Sequence, residues 1–219
     1  MKYITLHWTA GRHTPNADDL QHYHYVIDGR GNVLPGMYPP EANLPPVRTG
    51  KYAKHVKRAN SFNIGVSMCG MADATWANAI NGRYGQHAIT KASVESAIHL
   101  CADLCWKYGI PPTTAGLIGH EEWDSIHGKP QDRWDVCCIP HLDIRPERLA
   151  DGSYTAMNWF RQQVATLTAA TPAPDFQPLF NHIAAMFDDP EFPNLPAATQ
   201  RAMKVLRKLP PFDQLAREP

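Results

Sequence analysis

His7, His120 and Asp135 are of the residue types that hold a catalytic zinc ion. Such a site takes three nitrogen or carboxylate ligands and keeps a fourth position open for water, which the ion activates as a nucleophile. The two histidines are far apart in the chain, so strand and loop ends must bring them together. Residue type alone does not single them out, because the sequence holds 11 histidines and most lone histidines are surface groups or hydrogen-bonded core residues. Glu121 and Glu122 follow His120 and imitate the start of a His-Glu-x-x-His peptidase motif. The second histidine of that motif falls on Asp124, so the motif is absent. The two glutamates are expected as exposed loop charge, with orientation of a ligand imidazole as the alternative. The 5 cysteines include no Cys-x-x-Cys pair, which argues against a disulfide framework and a four-cysteine zinc ribbon. Cys101 and Cys105 lie four apart in a helical pattern and read as small buried hydrophobes, as does Cys69 at the end of an apolar run.

The elements that must position these groups are legible in the hydrophobic pattern. Residues 3–8 form a β-branched and aromatic strand that delivers His7 near its end, before Thr9-Ala10-Gly11-Arg12 breaks it. A second strand runs from Tyr23 to Asp28, turns at Gly29-Arg30-Gly31-Asn32 and resumes at Val33-Leu34 as a hairpin. Alternation along it sets Tyr23 and Tyr25 on one face and His24 on the other. The Pro- and Gly-rich stretch between Pro35 and Lys57 is long for a connection and suits the wall or lid of a groove. Residues 63–69 read as a buried strand. Thr90 to Tyr108 is the clearest helix, capped by Thr90 and stopped by Gly109. Thr113 to His120 reads as a strand or strand-to-loop junction, and Ser153 to Leu167 as a helix with Met157, Phe160, Val164 and Leu167 on one stripe. Strands alternating with helices predict an α/β fold with ligands at strand ends.

Bulk properties narrow the function. At 219 residues and 43% hydrophobic, the chain can bury one core with a short remainder. Lys plus Arg and Asp plus Glu are both 21, which disfavours nucleic acid as a partner. No stretch reaches the roughly 20 apolar residues of a transmembrane segment. The start at Met1-Lys2-Tyr3 shows no signal peptide, so synthesis in the cytoplasm is expected. The composition shifts after Leu167 to small residues and prolines. That change divides residues 1–168 from residues 169–219, a linker and short helical tail with candidate helices at 176–187 and 197–209.

The strings Ile4-Thr5-Leu6-His7-Trp8-Thr9, His22-Tyr23-His24-Tyr25-Val26-Ile27-Asp28-Gly29-Arg30-Gly31-Asn32-Val33, Asn63-Ile64-Gly65-Val66-Ser67 and Leu117-Ile118-Gly119-His120-Glu121 occur in this order. Together they resemble type 2 N-acetylmuramoyl-L-alanine amidases, a family similar to phage endolysins, bacterial wall amidases and peptidoglycan recognition proteins. The resemblance covers residues 1–168. It implies an α/β domain with a mixed central β-sheet flanked by helices, and a zinc ion (Zn2+) in a groove that takes peptidoglycan or a muropeptide.

By the same resemblance, His7 matches the first zinc ligand and His120 the second, and the third is an Asp or a Cys downstream. The segment Gly128 to Asp135 is similar to a signature of some phage amidases, with Arg133 where that signature has lysine. It favours Asp135 over Cys137 and Cys138, with His127 and His141 as lesser rivals. Arg133 then takes the lysine's place beside the developing oxyanion, where it can stabilise charge but not donate its proton. Tyr23 matches a tyrosine next to the metal-bound water, against the plainer reading that it packs on its strand. His55 matches a histidine near the substrate groove, against an ordinary loop histidine. The implied activity is zinc-dependent cleavage between N-acetylmuramic acid and L-alanine by a phage-type endolysin, acting in the periplasm or on the wall after release. The alternatives are a non-catalytic peptidoglycan-binding module, which shares the fold but lacks a complete metal set, a zinc peptidase cutting within the stem peptide, and a recycling amidase.

Overall fold

The computed structural model describes residues 1–48 and 50–170. The two helices expected at 176–187 and 197–209 lie outside the described residues. Strand β1 spans Tyr3–Trp8 and is followed by the short helix α1, Ala17–His22. The hairpin of β2, Tyr25–Ile27, and β3, Val33–Pro35, comes next. Then follow β4, Asn63–Met68, the one-turn helix α2, Trp76–Ala79, and the long helix α3, Lys91–Tyr108. Strand β5, Leu117–Gly119, the one-turn helix α4, Glu122–Ser125, and α5, Thr155–Ala170, complete the order. The strands form one sheet in the order β3-β2-β4-β1-β5, and only the β2–β3 pair is antiparallel. It is the mixed α/β sheet that the sequence predicts.

Alternation along the central strands separates two environments. Ile4, Leu6 and Trp8 of β1, with Ile64, Val66 and Met68 of β4, join the main core beneath α3 and α5. Helix α3 forms because Val94, Ile98, Cys101 and Cys105 recur on its buried face, and it also packs against α5. The Thr90 hydroxyl accepts from the Ser93 N–H at 3.1 Å to start it. Gly109 ends it in the left-handed region at φ 63°, a conformation that glycine adopts without a Cβ penalty. The remaining positions of β1, Tyr3, Thr5 and His7, face the loops on the other side. There Tyr3 packs against a small cluster of Val56, Ala59, Ile118 and Trp123. The Trp123 indole N–H donates to the Thr5 hydroxyl at 2.8 Å, and that hydroxyl donates to Asn63 Oδ1 at 3.0 Å.

Three local expectations are corrected. Tyr23 and His24 precede β2 rather than lie in it, because residues 17–22 wind into α1. The start signal is a reciprocal capping box, in which Asn16 Oδ1 accepts from the Asp19 N–H at 3.0 Å and Asp19 Oδ2 accepts from the Asn16 N–H at 2.9 Å. The strand expected over residues 113–120 shortens to Leu117–Gly119, since Thr113 and the residues after it form turns.

Glu121 and Glu122 are both buried instead of exposed. Glu122 receives both Arg161 guanidinium nitrogens, at 2.7 and 2.9 Å, and the N–H groups of Gly119 and Tyr154. Arg161 also donates to the Leu117 carbonyl at 3.0 Å, so one ion pair ties α5 to β5 and α4. Removing a single partner leaves the other charge buried and uncompensated. Arg161→Met should therefore cost about 3–5 kcal/mol in urea unfolding, and Arg161→Met with Glu122→Gln should cost less than the two single losses added. Additive losses would show that the pair is not coupled.

Candidate metal centre

Strands β1 and β5 are parallel neighbours with Leu6 opposite Gly119, and the next residue of each is His7 and His120. Both imidazoles thus emerge side by side at the carboxyl ends of adjacent strands, where α/β sheets gather ligands. Asp135 reaches them because the Glu121 N–H donates to the Asp135 carbonyl at 3.0 Å, which ties the two loops together. His7 Nδ1 lies 3.0 Å from His120 Nδ1 and 3.0 Å from Asp135 Oδ2, and His120 Nδ1 lies 3.1 Å from the same oxygen. Exposure of the three residues is 0%, 7% and 5% in the order His7, His120, Asp135.

These atoms make a nearly equilateral triangle of two imidazole nitrogens and one carboxylate oxygen, the one such group among the described residues able to hold a metal ion. A tetrahedral zinc with bonds of about 2.0–2.1 Å spaces its ligand atoms by about 3.3 Å. The donor set and its spacing fit that ion. Cys137 and Cys138 lie in the main hydrophobic core, outside this group. His127 lies against Trp123 with Nε2 3.2 Å from the Thr114 carbonyl, and His141 sits on a separate 3-10 turn, Pro140–Leu142.

Burial and then His120 lower the His7 pKa to about 4. Burial alone would raise the Asp135 carboxyl, but His120 and then His7 hold it well below the usual carboxylate range. The site therefore carries a carboxylate beside neutral imidazole, the protonation states that a metal requires. His24, buried behind the site, is likewise lowered to about 4 by burial. Both histidines have folded values below the ordinary 6.5, so the unfolded chain takes up protons that the folded chain refuses. Stability of the metal-free protein should be fully present above about pH 6.5 and fall toward about pH 4, by roughly 3 kcal/mol per histidine at most. Urea unfolding in chelator at several pH values measures this. A flat profile over that range would contradict the buried neutral assignment.

The His120 and Asp135 corners of the triangle line a groove of ≈ 890 Å³ whose walls also include Trp8, Tyr23, Lys54, Gln131, Arg133 and Trp134, with His7 buried beneath them. Tyr23 packs beside His7 with ring centroids 5.0 Å apart. Burial and then Asp135 hold its phenol above the ordinary value, so it keeps its proton. Arg133 lies exposed on the rim, and its Nη1 donates to the Asp132 carbonyl at 3.0 Å. His55 also lines the groove but is only 6% exposed, with Nδ1 3.1 Å from His7 Nε2.

Sequence reasoning gave no role to Gln131 or to the edge-on pair of Trp8 and Trp134, whose centroids are 4.9 Å apart. Gln131 Nε2 donates to the Lys57 and Lys129 carbonyls, which turns Oε1 toward His120 Nε2 at 3.3 Å. Its position four residues before Asp135 was the available signal.

The sequence model of the family described as N-acetylmuramoyl-L-alanine amidase matches residues 1–135. Solved structures similar to this chain include PlyL, at 18% identity and TM-score 0.42, over 74% of this chain and 82% of that one. The N-acetylmuramoyl-L-alanine amidase LysC from Clostridium intestinale URNW is similar at 16% identity and TM-score 0.39, over 76% and 84%. Drosophila peptidoglycan recognition protein SD is similar at 17% identity and TM-score 0.38, over 56% and 70%. No curated protein matches the sequence.

Proposed function

The chain belongs to the type 2 N-acetylmuramoyl-L-alanine amidase family, and from that premise we propose that it is a zinc-dependent peptidoglycan hydrolase of the phage endolysin type. The bond cut is the amide between the lactyl group of N-acetylmuramic acid and the L-alanine of the stem peptide. The observation that carries this reading is the triangle of His7, His120 and Asp135 at the base of an open groove, with Tyr23 beside it. His7, His120 and Asp135 would hold a zinc ion, which would supply Lewis-acid activation of a water and polarisation of the amide carbonyl.

The chain's own residues supply the rest. Tyr23 keeps its phenolic proton on Oη and can donate it in a hydrogen bond that orients the attacking water. Arg133 presents guanidinium donors to the oxyanion that develops on the carbonyl oxygen. Lys54 and Lys57 on the groove wall complement carboxylates of a stem peptide. On this reading the protein acts in the periplasm or on the cell wall after release.

Mass spectrometry of the products released from purified sacculi tests the assignment. Expected are stem peptides with a free L-alanine amino group and glycan with unsubstituted lactyl groups. Fragments cleaved inside the stem would make the protein a peptidase, and intact sacculi with bound protein would make it a binding module. We also place the whole catalytic apparatus in residues 1–168. A chain ending at Ala169 should bind zinc and hydrolyse a small muropeptide at close to the full-length rate, and loss of that activity would put the tail in the active site or the core.

A further inference from the structure

His55 is nearly buried and both of its ring nitrogens are engaged. Its Nε2 lies 3.3 Å from the Asn63 main-chain carbonyl, which can only accept, so Nε2 carries the proton. A neutral imidazole then has a lone pair on Nδ1, and that atom faces His7 Nε2 at 3.1 Å. His7 must donate from Nε2, which leaves the lone pair of its Nδ1 directed at His120 Nδ1 and Asp135 Oδ2.

We propose that His55 is a positioning residue that fixes the tautomer and ring orientation of His7, in a relay running from the Asn63 carbonyl through His55 to His7. This proposal rests on the reading of His7 as a metal ligand, and it gives His55 a role through His7 rather than through substrate.

Packing and wiring around the ring support the assignment. A Cβ at position 65 would stand 2.7 Å from His55 Cγ, so Gly65 is what admits the imidazole against β4. The main chain at His55 and Val56 is held by Asn60 Oδ1, which accepts both N–H groups at 2.9 and 3.0 Å. His24, whose ring lies 5.4 Å from that of His55, does not compete for these protons. Its Nδ1 accepts from the Gly65 N–H at 2.8 Å, and its Nε2 donates to Asn43 Oδ1 at 3.0 Å.

The second ligand is wired in the same sense. With the Gln131 amide turned by two carbonyls, its Oε1 accepts from His120 Nε2, and the His120 Nδ1 lone pair joins that of His7. In these tautomers two imidazole lone pairs and a carboxylate oxygen, about 3 Å apart, present three acceptors to one point, which is the arrangement that a metal cation takes. A hydrogen bond from the far nitrogen also raises the basicity of the ligating one.

Long-range 1H–15N correlation spectra of the metal-free full-length protein near neutral pH read the relay directly. His7 and His55 are each expected with the proton on Nε2. Zinc affinity, measured by competition with a chromogenic chelator, gives the second reading. His55→Leu offers no acceptor and should weaken zinc by roughly 10–100-fold. His55→Asn places an amide oxygen where Nδ1 stands and should recover most of that loss. A His7 proton on Nδ1 in the wild type overturns the proposal. So does a folded His55→Leu protein with wild-type affinity, or a His55→Asn protein as weak as the leucine variant. If His55→Leu does not fold, the wild-type tautomer and the asparagine variant still decide. A wild-type protein that binds no zinc refutes the metal reading itself, whereas the tautomers are measured without metal and stand apart from that failure.

Discussion

Asp135→Ala is expected to remove both zinc and hydrolysis, and His7→Ala and His120→Ala should do the same. Each residue supplies one corner of a three-atom set with edges of 3.0 to 3.1 Å. No other His, Cys, Asp or Glu among the described residues joins that set, so two corners would have to hold the ion alone. Catalytic zinc sites keep three protein ligands, and a two-ligand remnant should lose the metal to a mild chelator and fall to background turnover. Metal content by plasma mass spectrometry and release of dye from labelled sacculi give the two readings. Cys137→Ser and Cys138→Ser are the controls, because both thiols are buried in the core. Their expected cost is in stability, with zinc retained. Full zinc in Asp135→Ala together with loss in either serine variant would move the third corner to sulfur.

How far this site could be read from sequence differs between its parts, for physical reasons. Strands β1 and β4 and helix α3 were legible because their sequence patterns are local: β-branched runs over 3–8 and 63–69, and a Thr90 cap with a Gly109 stop. His7 and His120 were legible as candidates through the strings around them. Their adjacency depends on parallel pairing of β1 with β5, which no local pattern encodes. Helix α1 was missed because six residues carry too little periodicity to outweigh the strand-like Tyr-His-Tyr-Val-Ile run that follows, although Asn16 and Asp19 hold a capping box.

Glu122 illustrates a different limit. A glutamate after a loop histidine has the composition of solvent-exposed charge, and only the arrival of Arg161 from α5, 39 residues later, makes its burial affordable. His55 is similar, since its partners His7 and Asn63 lie 48 and 8 residues away. A loop histidine in isolation carries no sign that both of its nitrogens will be enclosed.

Tyr23→Phe and Arg133→Ala separate holding the metal from turning over substrate, and each should retain zinc while losing roughly a hundredfold or more in kcat. Neither residue belongs to the donor triangle, so chelator competition should be unchanged in both. The phenylalanine variant keeps the ring that packs 5.0 Å from His7 and deletes only the hydroxyl, which burial and Asp135 keep protonated. A loss confined to kcat therefore reports a hydrogen bond made by Oη as the water attacks. Arg133 differs in being exposed on the rim, where its long side chain can reach over the groove. In the proposed mechanism its charge acts only once the carbonyl oxygen becomes an oxyanion, so KM should change less than kcat. Lysine at this position should restore much of the rate, because it returns a cation to the same rim, though without the planar fork of donors. Wild-type rates in Tyr23→Phe and Arg133→Ala would reduce both residues to scaffolding and leave the oxyanion to the metal alone.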